Sequence, residues 1–271
     1  MPMYDESNLN LPRILCLHGG GTNARIFRSQ CRVLSTHLKR KFRLVFAEAP
    51  LPCQAGPDVL SVYKEWGPFK SWIPSALGCP ETDSNTAISF FKSSLQSAME
   101  EDDEKGATGP WAGLLGFSQG AKMCASLLFL QQLQRIRGLR WDPRLNFQFG
   151  ILLAGRGPLV ALDPSLITPD MKDIVVGING EKIYGNGWNS NIQEGEILLR
   201  LHTPTVHVHG LRDAGLPLHR QLLESCCYKQ ATRLMEWEGD HRVPIKSKDV
   251  TALVQHILAV AEGTDISICS I

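Results

Sequence analysis

The sequence has little of what would assign a chain to nucleic acid, to a membrane or to secretion. Its net charge is only +1 over 271 residues, so no strongly basic surface is available for nucleic acid or an anionic membrane. No apolar run approaches the ~20 residues that a membrane span requires. The first residues contain neither the basic nor the apolar segment of a secretory signal. We therefore expect a cytoplasmic protein with no nucleic-acid or membrane partner.

The cysteines give no sign of a disulfide framework or of a metal centre. All eight are scattered along the chain without the close spacing that either would need. Cys226 and Cys227 are adjacent, but in a helical pattern neighbouring side chains point away from a common ion. We expect free thiols, no metal and no cofactor.

Apolar, β-branched runs alternate with longer helical patterns along the chain. Hydrophobic residues make up 43% and charged residues 20% of the sequence, which is ordinary for a soluble globular enzyme. The alternation predicts an α/β fold, with a doubly wound, mostly parallel sheet of about six strands and helices on both faces. The predicted strands are Arg13–Leu17, Phe42–Ala47, Trp111–Phe117, Phe147–Ala154, Pro204–His209 and Arg233–Glu238. The predicted helices are Ile26–Lys39, Thr86–Glu101, Gln119–Arg137, Pro217–Lys229 and Asp249–Glu262.

Two stretches interrupt this alternation. Residues 51–83 are rich in proline, glycine and aromatic residues, and residues 156–200 include the Gly/Asn-rich segment Tyr184–Asn191. Both follow strands at the carboxyl edge of the sheet, where α/β folds bind ligands. Neither has the apolar periodicity of a separate core, so we expect one domain over residues 1–271 whose two insertions cover the functional site. The acidic run Glu100–Glu104 is interpreted as a solvated helix end.

The segment Gly116-Phe-Ser-Gln-Gly lies between a predicted strand and a predicted helix. This is the Gly-x-Ser-x-Gly pattern in which a sharp strand-to-helix turn exposes a serine hydroxyl. Small residues on either side of Ser118 let the strand and the helix approach closely. A serine hydroxyl is a weak nucleophile until a base takes its proton, so the pattern predicts Ser118 as a nucleophile that needs partners elsewhere in the chain.

In this arrangement an acid and then a histidine follow the serine in chain order. His241 directly follows the last predicted strand and is the expected general base. Asp213 is the only carboxylate in the loop after the preceding strand and is the expected orienting acid. Asp240 is the alternative because it neighbours His241, although adjacent residues seldom bring a carboxylate and an imidazole face to face.

The first predicted strand ends in His18-Gly-Gly-Gly. In enzymes with this serine motif, a glycine loop at this position supplies a backbone amide to the oxyanion hole. Glycines suit this role because they allow a tight turn and a close approach of the backbone. We expect Gly20 to supply one amide and Gln119, directly after the nucleophile, to supply the other. His18 is interpreted as a structural hydrogen-bonding residue.

Taken together, these motifs resemble an α/β-hydrolase and, more narrowly, the FSH family of fungal serine hydrolases. The similarity extends over roughly residues 11–262 and includes His207-Val-His-Gly-Leu-Arg-Asp and Gly239-Asp-His-Arg-Val-Pro. Gly56-Pro-Asp-Val and Trp66-Gly-Pro-Phe are similar to the branch encoded beside fungal polyketide synthases, whose members are thioesterases that release an acyl chain from a carrier domain.

The resemblance implies a covalent thioesterase mechanism through Ser118, with an acyl thioester as substrate and a carrier domain of a polyketide synthase as the partner. Trp66, Phe69 and Trp72 are candidates for lining an acyl pocket, with ordinary packing of the insertion as the alternative. A carboxylesterase acting on a small diffusible ester would use the same residues. A non-catalytic ligand-binding protein that keeps the fold is a third hypothesis.

Overall fold

A central sheet of six parallel strands organises the computed structural model, which describes residues 8–139, 145–182 and 200–264. The segment Tyr184–Asn191 lies outside the described residues. The strands of this sheet are β1 (Arg13–Leu17), β2 (Arg43–Ala47), β5 (Trp111–Phe117), β6 (Phe149–Leu153), β9 (Thr205–Gly210) and β10 (Thr232–Trp237). Two short pairs lie outside it, β3 (Leu51–Pro52) with β4 (Lys70–Ser71) and β7 (Leu159–Val160) with β8 (Val175–Val176). The prediction of a mostly parallel sheet of about six strands is confirmed.

Helices cover both faces of the central sheet. They are α1 (Ala24–Gln30), α2 (Arg32–Leu38), α3 (Val59–Tyr63), α4 (Ser84–Glu104), α5 (Gln119–Ile136), α6 (Leu216–Gln221) and α7 (Ser247–Ala261). A π-helical turn, Leu222–Cys226, extends α6, and short 3-10 turns lie at Lys64–Trp66, Pro164–Leu166, Pro169–Met171 and Lys229–Ala231. Within the described ranges, no helix combines the length and the apolar character needed to cross a membrane.

Two apolar cores lie on opposite faces of the sheet. Because side chains alternate along a strand, Leu15 and Leu17 of β1 enter the core beneath α4 and α5, whereas Ile14 and Cys16 enter the core beneath α1, α2 and α7. This burial on both faces explains why the central strands are continuous apolar runs. It also confirms the doubly wound arrangement.

The strand order β10-β9-β6-β5-β1-β2 reverses direction between β1 and β5. In open α/β sheets a ligand binds outside the carboxyl ends of the strands at such a reversal. The glycine loop follows β1 and Ser118 follows β5, so the fold brings these two segments side by side at that edge.

Two predicted helices have a different form in the structure. The segment predicted as Pro217–Lys229 is α6 followed by the π-helical turn Leu222–Cys226, and extended backbone begins at Cys227. The segment predicted as Ile26–Lys39 is two helices, α1 and α2, that meet at Cys31. Cys31 has φ −83° and ψ 4°, outside the regular helical values. The Asn23 side chain caps the start of α1 by accepting a hydrogen bond from the Ile26 amide at 2.9 Å.

Asp102 corrects the interpretation of Glu100–Glu104 as a solvated helix end. Its carboxylate is buried, and Arg43 donates to it at 2.6 to 3.0 Å from two guanidinium nitrogens. Arg13 lies 3.5 Å from the same carboxylate. A helical residue facing the sheet can carry a charge when a partner strand supplies the opposite one. This buried pairing therefore fastens α4 to the edge of the sheet.

Candidate active site

Ser118 occupies a strained turn between β5 and α5. Its φ of 53° and ψ of −113° lie in a region that L-residues rarely adopt. The two flanking glycines make room for this turn. A Cβ at Gly116 would lie 2.4 Å from the Ala121 Cα, and one at Gly120 would lie 2.0 Å from the carbonyl oxygen of the last residue of β1. The turn therefore presents the Ser118 hydroxyl clear of the sheet.

Ser118, His241 and Asp213 form a continuous hydrogen-bonded series. The Ser118 Oγ lies 2.9 Å from the His241 Nε2, and the His241 Nδ1 lies 2.6 Å from the Asp213 Oδ2. The other carboxylate oxygen of Asp213 accepts a hydrogen bond from the Gly215 amide at 2.7 Å. The structure thus brings together three predicted residues that are far apart in the sequence.

The environment of Asp213 favours its charged form. Its side chain is 1% exposed, and burial alone would raise the pKa of the carboxyl. The Gly215 amide and the His241 ring outweigh burial and hold this pKa below its usual value. A carboxylate that stays ionised can fix the imidazole tautomer with the proton on Nδ1.

Asp240, the alternative acid, points elsewhere. Its side chain is 55% exposed and lies 3.2 Å from the guanidinium of Arg242. The structure therefore brings Asp213, and not Asp240, into contact with His241.

The glycine loop after β1 lies against the insertion at residues 51–83. The Gly21 amide donates to the Lys70 carbonyl at 3.0 Å, and the Gly21 carbonyl accepts from the Gly56 amide at 3.0 Å. The Gly21 amide is therefore already occupied and is not available to a ligand. Gly20 and Gln119 both line the cleft that contains Ser118.

His18 is buried and stabilises this loop. Its Nε2 accepts from the Ala49 amide at 3.1 Å, so its Nδ1 carries the proton and donates to the Gly19 carbonyl at 2.8 Å. The carbonyl of His18 accepts from the Trp72 indole at 2.8 Å. These contacts fix the loop. Because both ring nitrogens of His18 are hydrogen-bonded to the backbone, His18 is not available as a general base.

The Gln119 side chain joins the active-site turn to the insertion. Its Oε1 accepts from the Trp72 amide at 2.7 Å, and its Nε2 donates to the Ser71 hydroxyl at 3.0 Å. Gln119 is the first residue of α5, where a backbone amide has no partner within the helix. Its side chain is thus a structural link. Its backbone amide makes no hydrogen bond within the helix.

The aromatic residues predicted to line an acyl pocket are elsewhere. Trp72 is fully buried and packs edge-on against Phe91. Trp66 packs beneath the guanidinium of Arg25 at 4.2 Å. Trp66, Phe69 and Trp72 are all absent from the lining of the Ser118 cleft. The structure therefore places Trp66 against α1 and Trp72 against α4, and a role of these aromatic residues in binding an acyl chain stays a prediction.

The cleft beside Ser118 has a volume of about 730 Å³. Its apolar lining is aliphatic and comes mainly from the 51–83 insertion and from α6, with Pro57, Ile73, Ala76, Leu77 and Leu218. Two cations, Lys122 and Arg156, also line it, and sequence reasoning missed both. The signal for Lys122 was present, since it is the only charged residue between positions 119 and 134 of an apolar helix.

A buried histidine, His219, lies behind the Asp213–His241 pair. Its Nε2 is 3.7 Å from the Asp213 Oδ2, and burial lowers the pKa of His219 to about 4, so the ring is neutral at pH 7. Ligand atoms of Asp213, His219 and His241 lie within 4.8 Å of one another, close enough for a metal ion. The 2.6 Å contact of Asp213 with His241 is instead that of a hydrogen-bonded acid–base pair.

The serine lies on a strained strand-to-helix turn and is hydrogen-bonded to a histidine, which a buried aspartate orients. This arrangement defines a hydrolase of the α/β-hydrolase fold. The chain order is serine, aspartate and histidine, and the supporting sheet is parallel and doubly wound. A family model described as serine hydrolase (FSH1) matches residues 8–253. The chain belongs to this family and is a hydrolytic enzyme.

Fungal esterases are similar to the chain over almost its whole length. Esterase pigG of Monascus ruber is 55% identical, covering 97% of this chain and 96% of its own. Esterase dbaE of Emericella nidulans is 50% identical, covering 98% and 97%. Among solved structures, acyl-protein thioesterase 2 of Zea mays is 14% identical with a TM-score of 0.51, covering 93% of this chain and 94% of its own. That likeness shows the fold alone.

Proposed function

We propose that this serine hydrolase is a thioesterase that releases a polyketide acyl chain from a carrier domain through an acyl-enzyme on Ser118. The observation that carries its chemistry is the hydrogen-bonded series Ser118–His241–Asp213 at the edge of a cleft of about 730 Å³. The thioester substrate is supported by the similarity of Gly56-Pro-Asp-Val and Trp66-Gly-Pro-Phe to the corresponding segments of polyketide-pathway thioesterases.

The first step is attack of the Ser118 Oγ on the acyl carbonyl. The Asp213 carboxylate accepts a hydrogen bond from the protonated His241 Nδ1 at 2.6 Å, which leaves Nε2 free to accept the Ser118 proton across 2.9 Å. The new C–O bond forms as this proton moves. The resulting imidazolium is stabilised by the adjacent carboxylate.

The carbonyl oxygen becomes an oxyanion in this step. The backbone amides of Gly20 and Gln119 would donate to it, and each such donor contributes roughly a hundredfold to a thousandfold in kcat. The bonds of Gly21 to Lys70 and of the Gln119 side chain to Trp72 hold both segments in place beforehand. The donors therefore need little rearrangement when the charge develops.

The intermediate collapses when the C–S bond breaks and His241 returns its proton to the leaving sulfur. A water molecule then loses a proton to the His241 Nε2 and attacks the acyl-enzyme. Collapse of the second intermediate returns the proton to the Ser118 Oγ and releases the carboxylic acid. The same residues thus act in both halves of the reaction.

Hydrolysis of a small diffusible ester is the second candidate function. The names of curated relatives favour it, since three proteins at 48–55% identity are called esterases. The triad chemistry is the same for both candidates, so the leaving group and its carrier distinguish them.

One acyl chain presented in three forms tests the proposal. The forms are a p-nitrophenyl ester, a small soluble thioester and a thioester on the phosphopantetheine arm of a carrier domain. We expect the carrier-bound form to give the highest kcat/KM and the oxoester the lowest. A preference for the oxoester, with no gain from the carrier, would show a carboxylesterase instead.

Serine-reactive labelling tests the nucleophile separately. An active-site phosphonate probe should label the wild type and should fail to label Ser118→Ala. Ser89→Ala, at an exposed serine on α4, is the matched control and should label normally. Labelling of Ser118→Ala at the wild-type level would exclude Ser118 as the nucleophile.

A further inference from the structure

The Ser118 cleft contains two cations and no matching acid. Lys122 and Arg156 line it together with Ser118, Gln119 and Gly20. No carboxylate is found among the described residues that line the cleft. Neither cation has an ion-pair partner within 4.0 Å in the described part of the chain. A positive charge that is partly removed from water normally has a partner.

Lys122 lies one helical turn beyond the nucleophile on α5. Its backbone amide donates to the Ser118 carbonyl at 3.1 Å, and residues four apart share one face of a helix, about 6 Å apart along its axis. Burial lowers the pKa of Lys122, with only the Cys226 thiol acting in the opposite direction. An apolar helix thus holds a poorly solvated ammonium close to the reacting centre.

Arg156 comes to the same cleft from the segment after β6. Its Nε is buried and has no hydrogen-bond partner among the described residues. A Cβ added at Gly215 would lie 2.8 Å from one of its terminal guanidinium nitrogens, so the guanidinium reaches the loop that carries Asp213. The Asp213 carboxylate is already bonded to Gly215 and His241. The Arg156 guanidinium therefore has N–H groups, including the one on Nε, that can donate to a bound ligand.

We propose that Lys122 and Arg156 form an anion subsite, and that the enzyme prefers substrates with an anionic oxygen group within reach of the reacting carbonyl. The subsite deepens the proposed function and rests on the catalytic role of Ser118. The aliphatic lining suits the hydrocarbon part of the substrate, and the two cations would bind a carboxylate or a phosphate.

Such an anion could come from either end of the substrate. It could be an acidic group on the acyl chain, or the phosphate of the phosphopantetheine arm that carries the chain. Both present oxygen acceptors to a guanidinium and an ammonium in the same way. The experiment therefore needs one pair of substrates for each source.

The acyl-side pair is a p-nitrophenyl ester of a dicarboxylic acid with a free far carboxylate, and its far-end methyl ester. Three chain lengths should be compared at low salt. We expect the ratio of kcat/KM, anionic over neutral, to exceed one in the wild type and to fall as salt is added. Lys122→Met and Arg156→Gln should each lower the ratio about tenfold or more, as expected for loss of a charge-assisted hydrogen bond.

The leaving-group pair carries one neutral acyl chain on coenzyme A and on N-acetylcysteamine, which lacks phosphate. The ratio measured here is kcat/KM for the coenzyme A thioester over that for the N-acetylcysteamine thioester. If Lys122→Met lowers only this ratio, the phosphate occupies the subsite. If it lowers only the ratio of the dicarboxylate pair, the acidic group of the acyl chain occupies it. Both results support the anion subsite. Ratios that stay near one in the wild type for both pairs, unchanged in the variants, would overturn it.

Controls separate charge recognition from structural damage and from failure of the proposed function. Lys92→Met, at an exposed lysine on α4, should leave both ratios unchanged, and Lys122→Arg and Arg156→Lys should retain most of the preference. Competitive inhibition by the diacid and by its dimethyl ester needs no variant, and tighter binding of the diacid that weakens with added salt would support an acyl-side anion in the subsite. If neutral oxoesters are cleaved but no thioester is, the polyketide proposal fails while the acyl-side ratio still tests the subsite.

Discussion

Replacement of Asp213 by asparagine separates the charge of this residue from its size. One carboxylate oxygen accepts from the Gly215 amide at 2.7 Å and the other from the His241 Nδ1 at 2.6 Å. With the amide oxygen of asparagine kept on Gly215, its NH₂ group faces Nδ1, which must then lose its proton. The ring proton moves to Nε2, which donates to the Ser118 Oγ instead of accepting from it.

The size of this effect follows from the change of tautomer. The same exchange in a serine hydrolase triad lowers kcat about 10⁴-fold, which corresponds to about 5 kcal/mol in the activation free energy. We expect a loss of that order for Asp213→Asn. Asp240→Asn should change kcat/KM by about twofold or less, because Asp240 is exposed and its pairing with Arg242 is a surface ion pair.

Hydrolysis of a neutral p-nitrophenyl ester measures both variants, with circular dichroism to show that each is folded. Labelling by the serine-reactive probe gives a second readout, which should slow in Asp213→Asn only. A loss below tenfold in folded Asp213→Asn would refute the orienting role of Asp213. A large loss in Asp240→Asn would transfer that role to Asp240.

The main strands and helices could be predicted because each has a local pattern of apolar and polar residues that is visible in the sequence. The strands Arg13–Leu17 and Trp111–Phe117 have the predicted bounds, since both are buried along their whole length and all of their residues except Arg13 are apolar. The two-residue strands β3 and β4 could not be predicted. They exist because residues 51–52 pair with residues 70–71 beside the glycine loop, a contact that no local pattern encodes.

The position of the candidate site also followed from the sequence, whereas the cleft wall did not. Ser118, Asp213 and His241 each follow a strand, and parallel strands bring their carboxyl ends to one edge. Trp72 lies in the core and outside the cleft wall, and an aromatic residue in a loop has the same apolar signature in either place. The hydrogen bond from the Trp72 indole to the His18 carbonyl places this side chain in the core, and only the structure reveals it.

Two further predictions concern stability. Asp102→Ala removes the carboxylate that Arg43 binds in a buried setting, so we expect the free energy of unfolding to fall by about 3–5 kcal/mol. Asp103→Ala, at a partly exposed side chain, should cost under about 1 kcal/mol, and equal losses in urea titrations would contradict the difference in burial. The second prediction concerns acid. Burial lowers the pKa of His207 from 6.5 to about 3, and a histidine with a depressed folded-state pKa stabilises the fold fully above pH 6.5 and loses that contribution as the pH falls towards 3. At pH 5 the expected loss from His207 is about 2 kcal/mol relative to pH 7. Urea titrations of the wild type and of His207→Gln at both values measure it, because glutamine carries no titrating proton and should reduce the pH dependence by that amount. The same pH dependence in both proteins would mean that His207 is not held neutral by its burial in β9.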